Sequence, residues 1–279
     1  MVGYGQRRWV RTGLDLLTIA FVLVLVFPII WLYFASVKPR DAIFGAPLKI
    51  WPSTVTFENF SHIWNAVGFQ IAFRNSLIVS SVSELTVTVA ALFAAFSLSR
   101  FDYRGRSLFS GAILAVQMLP GIITVVPLIA TLRKLHLTDS LLGLTLVYLL
   151  IGLPIAVWML KGYLDDIPKE LDEAAVIDGA NTAQVLWQII MPLMAPATVA
   201  VGAFAFLLAW GEYLFALSLI TSTSAKTLPL ALQTAFAQYT VDWGMLTAGG
   251  VIISLPPAIL FVFFQRYLVG GLTSGGVKG

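Results

Sequence analysis

Long apolar runs constrain this 279-residue chain more than any other feature. They fall at Leu14–Ala35, Ser76–Leu98, Leu108–Ile129, Leu141–Leu160, Ala197–Leu219 and Met245–Phe264. Each is about 20 residues long, and at about 1.5 Å rise per residue each matches a hydrocarbon core about 30 Å thick. Only 11% of residues are charged and 58% are hydrophobic, whereas a soluble domain carries roughly 25% charge. In water such a chain would expose large apolar patches and aggregate. A membrane β-barrel needs alternating segments of about ten residues, half the length seen here. The pattern predicts an all-α membrane protein: a single transmembrane domain, residues 1–279, with six spans.

Several chemistries are excluded. The chain has no cysteine, so disulfides, thiolate metal sites and cysteine nucleophiles are ruled out. His62 and His136 stand alone, without a second His at ligand spacing. The G-x-x-x-x-G-K-[ST] phosphate loop is missing, so the chain carries no nucleotide site of that kind. The net charge of +3 comes from Lys and Arg flanking the spans, which differs from the basic patch that nucleic acid requires. Arg7, Arg8 and Arg11 precede the first run, which lacks a small-residue cleavage site. That predicts an uncleaved first span.

Lys and Arg placement sets an expected orientation. With a cytoplasmic N-terminus, the inner segments hold ten of the 17 Lys and Arg residues, including clusters at Arg7–Arg11 and Arg100–Arg106. Both termini and residues 166–192 then lie in the cytoplasm. Outside are residues 37–74, with Trp51, Phe57, Phe60 and Trp64, and residues 221–243, with Gln233, Gln238, Tyr239, Asp242 and Trp243. Those aromatics suit either an interfacial belt or a docking surface. Asn75-Ser76 reads as the cap of the second span, and Pro154, Pro256 and Pro257 read as kinks.

Residues 166–192 predict two short helices joined by a turn. Pro168 suits a first turn, and Glu170, Asp172 and Glu173 put negative charge where the helix dipole favours it. Leu171, Ala174 and Ala175 share one face. Gly179 permits the positive φ that ends such a helix. Asn181 with Gln184 forms a capping-box pattern for the next helix, whose Val185, Leu186, Ile189 and Ile190 lie to one side. Pro192 is expected to stop or bend the chain before the fifth span.

Glu173-Ala174-Ala175, then Asp178-Gly179, then Ile189-Ile190-Met191-Pro192 resembles the loop signature of permease subunits of bacterial ABC importers, with Met191 replacing the usual Leu. Asp178-Gly179-Ala180, Arg100–Arg106, Trp210–Leu217 and the segment from Gln265 to Gly279 are similar to the maltose-type carbohydrate branch. In the Trp210 motif, Gly211 replaces the usual Asn. The resemblance runs nearly end to end and is weakest in the external loops. It implies a type I ABC importer fold in a bacterial cytoplasmic membrane, with residues 166–192 as a cytoplasmic helix–turn–helix coupling segment. Glu173, Ala174, Ala175, Asp178, Gly179, Ile189 and Pro192 would seat on an ATPase subunit. The tail, residues 265–279, would reach the ATPase interface through Gly275 and Gly276, unless it is simply a disordered end.

The implied partners are a second related permease, two ATPase subunits that bind ATP and Mg, and an extracytoplasmic sugar-binding protein. The chain itself would bind no cofactor and catalyse no reaction. Polar residues within spans are the candidates for the solute path: Glu84, Gln117, Trp210, Glu212 and Tyr213. Each also suits a helix–helix hydrogen bond or packing role. A di- or oligosaccharide is the expected solute. The alternatives are an importer for glycerol phosphate or another small solute, an ion-coupled secondary carrier, and a structural scaffold. An anionic solute would favour Lys or Arg inside a span, and none is found clearly within one.

Overall fold

The structure, a computed structural model, describes residues 4–45, 49–235 and 241–274. These fold almost wholly as helices. We label the main ones α1 (Tyr4–Ser36), α2 (Glu58–Trp64), α3 (Phe69–Arg100), α4 (Arg106–Gln117), α5 (Gly121–Lys134), α6 (Leu141–Asp165), α7 (Glu170–Ile177), α8 (Thr182–Gly211), α9 (Leu214–Leu219) and α10 (Trp243–Ser274). Among the described residues, five helices are long and apolar enough to cross a membrane, and the count rises to six if the bent pair α4–α5 is taken as one span.

The chain divides into two compact units. The first comprises Met1–Phe69 with Leu232–Leu255. Within it, α1 exposes every described side chain from Thr12 to Ile30, so lipid or another subunit must cover it. Asn59 is buried on α2 and donates its amide to the Ser36 and Lys38 carbonyls at 3.0 and 2.7 Å. Its Oδ1 lies 2.3 Å from where a Cβ on Gly244 would stand, so glycine is required there. Arg40 pairs with Asp242 at 3.1 Å, and Asp242 in turn accepts from the Met245 N–H at 2.9 Å.

The second unit comprises Gln70–Ala231 with Pro256–Gly279. Its core packs α3 (Val87, Ala91, Ala95) against α6 (Ala156, Leu160, Leu164) and α8 (Ile190, Met194, Val201). Small residues bring the helices close. Gly152 of α6 leaves room for Val87, and Gly202 of α8 for Glu84. A second apolar cluster joins α5, α6 and α9 through Leu132, Tyr148 and Phe215.

Three boundaries differ from the sequence reading. The third span is not one helix: it breaks between Gln117 and Gly121, and α4 and α5 meet at 103°. Pro120 has no N–H for the ladder and disfavours helical backbone at Leu119, so the break falls there. Pro154, Pro256 and Pro257, read as kinks, lie inside continuous helices.

The fifth span starts earlier and ends sooner than Ala197–Leu219. α8 runs without interruption from Thr182 to Gly211, and the chain then turns extended at Glu212 before α9. Pro192 does not stop it. Residues Val185–Ile190 form a π-helix in which the Met191 N–H donates five residues back, to the Leu186 carbonyl. The widened ladder ends just before Pro192, which has no N–H to continue it.

Asn75 and Ser76 do not cap the second span, because α3 begins at Phe69. The Asn75 amide donates to the Ser224 and Lys226 carbonyls at 2.8 and 2.9 Å, and the Ser76 hydroxyl accepts from the Leu228 N–H at 2.7 Å. These side chains satisfy backbone groups of a distant loop rather than of their own helix.

Candidate functional site

The segment between α6 and α8 is built from two interlocked caps. α7 ends in a Schellman turn: the Gly179 N–H donates to the Val176 carbonyl at 3.0 Å and the Ala180 N–H to the Ala175 carbonyl at 2.9 Å. Gly179 sits at φ +90°, as this turn demands. The expected capping box follows at once. Asn181 Oδ1 accepts from the Gln184 N–H at 3.0 Å, and Gln184 Oε1 accepts from the Asn181 N–H at 2.8 Å. The two helices therefore share a short, fully hydrogen-bonded turn.

α7 is held down by the end of α3. Arg100 meets Asp172 at 2.6 Å, with the two side chains only 6% and 16% exposed, and also donates to the Ile167 carbonyl at 3.0 Å. The neighbouring Ser99 donates to Asp165 at 2.6 Å. Neither the Arg100–Asp172 pair nor this second tether was foreseen: sequence spacing cannot bring together residues so far apart in the chain.

One face of α7 packs and the other does not. Ala175 and Ala180 lie against the core of the second unit. Ala174 points outward and Leu171 is half-exposed, so the expected Leu171–Ala174–Ala175 face does not act as one. Val176 is 58% exposed and Ile177 85%. Glu173 is exposed beside them, on a groove of about 220 Å³ walled by Phe96, Phe101 and Val176. Asp178 caps the end of α7, Ile189 is half-buried, and Pro192 is exposed in the first turn of the α-helical part of α8.

The candidate path residues do not converge on one point. Glu84 on α3 presses against Gly202 of α8, its Oε1 2.7 Å from the position a Cβ would take. Trp210 lies eight residues further along α8, about 12 Å at the usual rise. It is buried, stacked on Phe206 at 5.6 Å and edge-on to Phe73 at 6.1 Å. Glu212 is engaged structurally. Its carboxylate accepts from the Phe215 and Ala216 N–H groups at 2.8 and 3.1 Å, capping α9, and from the Tyr148 hydroxyl at 3.0 Å. Tyr213 next to it is exposed. Gln117, at the end of α4, is exposed and reaches the Ile151 carbonyl at 3.5 Å. Gly275 and Gly276 of the tail lie outside the described residues, as do Gln238 and Tyr239. Among the described residues, no group of three His, Asp or Glu is placed to hold a metal ion.

Residues 87–274 match the family of binding-protein-dependent transport system inner membrane components. The matched stretch contains α4 to α10 and the whole capped segment. The chain belongs to this family. The permease is 35% identical to a trehalose transport system permease protein of Mycobacterium tuberculosis, over 95% of its own length and 96% of the relative's. It is 33% identical to a trehalose/maltose transport system permease protein of Thermococcus litoralis, covering 94% of each. Its fold matches that of a bacterial ABC transporter involved in import of the acidic polysaccharide alginate, with TM-score 0.82, 22% identity and coverage of 96% and 99%. The permease is thus a multi-pass subunit of an ABC importer, a translocation component rather than an enzyme. An ion-coupled carrier or a bare scaffold is excluded by that membership.

Proposed function

We propose that the permease translocates a sugar, a di- or oligosaccharide, handed over by an extracytoplasmic binding protein, and that residues 166–192 couple this movement to two ATPase subunits. Trehalose and maltose in the names of its relatives support the solute class. The observation that carries the coupling role is the solvent-facing apolar pair Val176 and Ile177 on a helix whose opposite face is packed into the span core. An exposed apolar patch beside an acidic Glu173 is a docking surface by its chemistry. ATP and Mg belong to the ATPase subunits. A second, related permease covers the rest of the membrane surface.

In this reading both termini are cytoplasmic, and Gly275 and Gly276 let the tail pass close to the ATPase interface. ATPase closure presses on α7, and the capped turn passes the displacement to α8. The spans then switch access from one side to the other. Tyr213 and Gln117 are exposed and offer an aromatic face and an amide for sugar contact. Glu84, Trp210 and Glu212 set the positions of the helices that carry them.

The test is Gly179→Val in the assembled importer. Uptake is expected to be lost, while membrane insertion and subunit assembly survive. Normal uptake by that variant would sink the coupling role.

A further inference from the structure

An open groove of about 950 Å³ lies between α4 and α6 in the second unit, lined by no residue of α7 and by none of the candidate path residues. Its chemistry is graded along its length. Tyr103, Arg106 and Lys161 line one end, and Leu114 and Trp158 the other. Gly111 lines it from α4, and the position its Cβ would take has nothing within 4 Å, so the wall there is smooth and roomy.

The gradient follows the membrane. Lys161 lies in the last turns of α6 and Arg106 at the first residue of α4, so both cations sit where spans leave the hydrocarbon. Leu114 and Trp158 lie further in along the same helices. Tyr and Trp at such a boundary suit the headgroup level. Arg106 pairs with Asp102 and Lys161 with Asp165. Asp102 projects into water at 89% exposure, while Arg106 and Lys161 are far less exposed. Arg104, between the lining residues Tyr103 and Gly105 in the chain, is a third, exposed cation, without an ion pair among the described residues. Cations therefore outnumber the carboxylates paired with them.

We propose that this groove binds an anionic phospholipid of the surrounding membrane. The phosphodiester lies between Arg106 and Lys161, within reach of the Tyr103 hydroxyl. An acyl chain runs past Gly111 onto Leu114 and Trp158. Basic pockets between spans recognise anionic headgroups in this way, through charge and hydrogen-bond donors at the interface and apolar contact beneath. The occupant is a lipid rather than a protein segment because the lining changes from cationic to apolar over a few helical turns, the polarity profile of one lipid molecule.

The experiment uses the complete importer reconstituted in phosphatidylcholine vesicles doped with a photoactivatable phosphatidylglycerol or, separately, a photoactivatable phosphatidylcholine. Peptides containing Arg106–Leu114 and Trp158–Lys161 are expected to be labelled about thirtyfold more by the anionic probe, from the worth of two interfacial cations. The Arg106→Gln, Lys161→Gln double variant should lose that preference, and Arg106→Lys, Lys161→Arg should keep it. The wild-type labelling alone keeps the test decisive if the neutral variant fails to assemble. Equal labelling by both probes overturns the proposal. So does an absence of lipid labelling with Ser110→Cys cross-linking instead to the second permease.

Discussion

The Tyr148 hydroxyl donates to Glu212 across 3.0 Å, joining the middle of α6 to the gap between α8 and α9. The same carboxylate caps α9 through two backbone N–H groups. One acidic side chain thus satisfies three donors where the fifth span breaks. Tyr148→Phe removes one donor and should cost about 1 kcal/mol. Glu212→Ala strips the cap as well and should cost about 2 kcal/mol or more. Thermal unfolding of the solubilised importer would rank them. Equal losses would show that the cap contributes nothing beyond the tyrosine contact.

Arg100 and Asp172 are nearly out of solvent, so breaking the pair leaves one charge buried alone. Arg100→Ala should destabilise the second unit by about 3 kcal/mol and weaken uptake by freeing α7. The swap Arg100→Asp with Asp172→Arg should restore part of both. Full restoration is not expected, since Arg100 also donates to the Ile167 carbonyl. Transport and thermal stability measured on the same preparations would check this.

Gly202 and Glu84 compete for one space. Gly202→Ala places a Cβ 2.7 Å from Oε1 of Glu84 and should cost about 1–3 kcal/mol through overpacking. Truncating Glu84 to Ala in the same chain should relieve most of that. A double-mutant cycle on unfolding temperature measures the coupling. Additive losses would mean that the carboxylate simply moves aside.

Asp139 accepts from the Ser222 and Thr221 N–H groups, each at 2.9 Å, tying the α5–α6 loop to the chain after α9. These backbone donors hold its carboxyl below the ordinary carboxylate range. Because the folded pKa is depressed, the stabilisation is fully present above the unfolded value near 3.9 and fades as pH falls through the lower folded value. Asp139→Asn should remove that pH dependence while tolerating the positive φ of 53° at this position. Unfolding followed between about pH 5 and pH 3 would show a shallower acid limb in the variant.

Much of this fold was legible because its parts are local. The Schellman turn at Gly179 and the capping box at Asn181 follow from residue types at short spacing. The number of spans follows from run lengths. The misread boundaries have a common cause. Averaged hydropathy blurs the Leu119-Pro120-Gly121 break, although the Pro-Gly pair signals it. Likewise Gly211-Glu212 is hidden in an apolar run. Pro192 reads as a stop unless the π-helix before it is known. The tertiary partners of Glu212, Arg100, Asn75 and Glu84 carry no trace in local sequence.

The π-helix at Val185–Ile190 has one more consequence. It makes Thr182–Gly211 one continuous helix of 30 residues, about 45 Å long. A tilt of about ten degrees about its Gly211 end would sweep the Thr182 end through about 8 Å at that length. On the proposed coupling reading, a displacement at the Thr182 end would travel along this one helix, past Pro192 and Pro196, into the membrane interior. On that same reading, a stroke of several ångströms at α7 would become a small rotation where Trp210 and Glu212 hold the neighbouring helices.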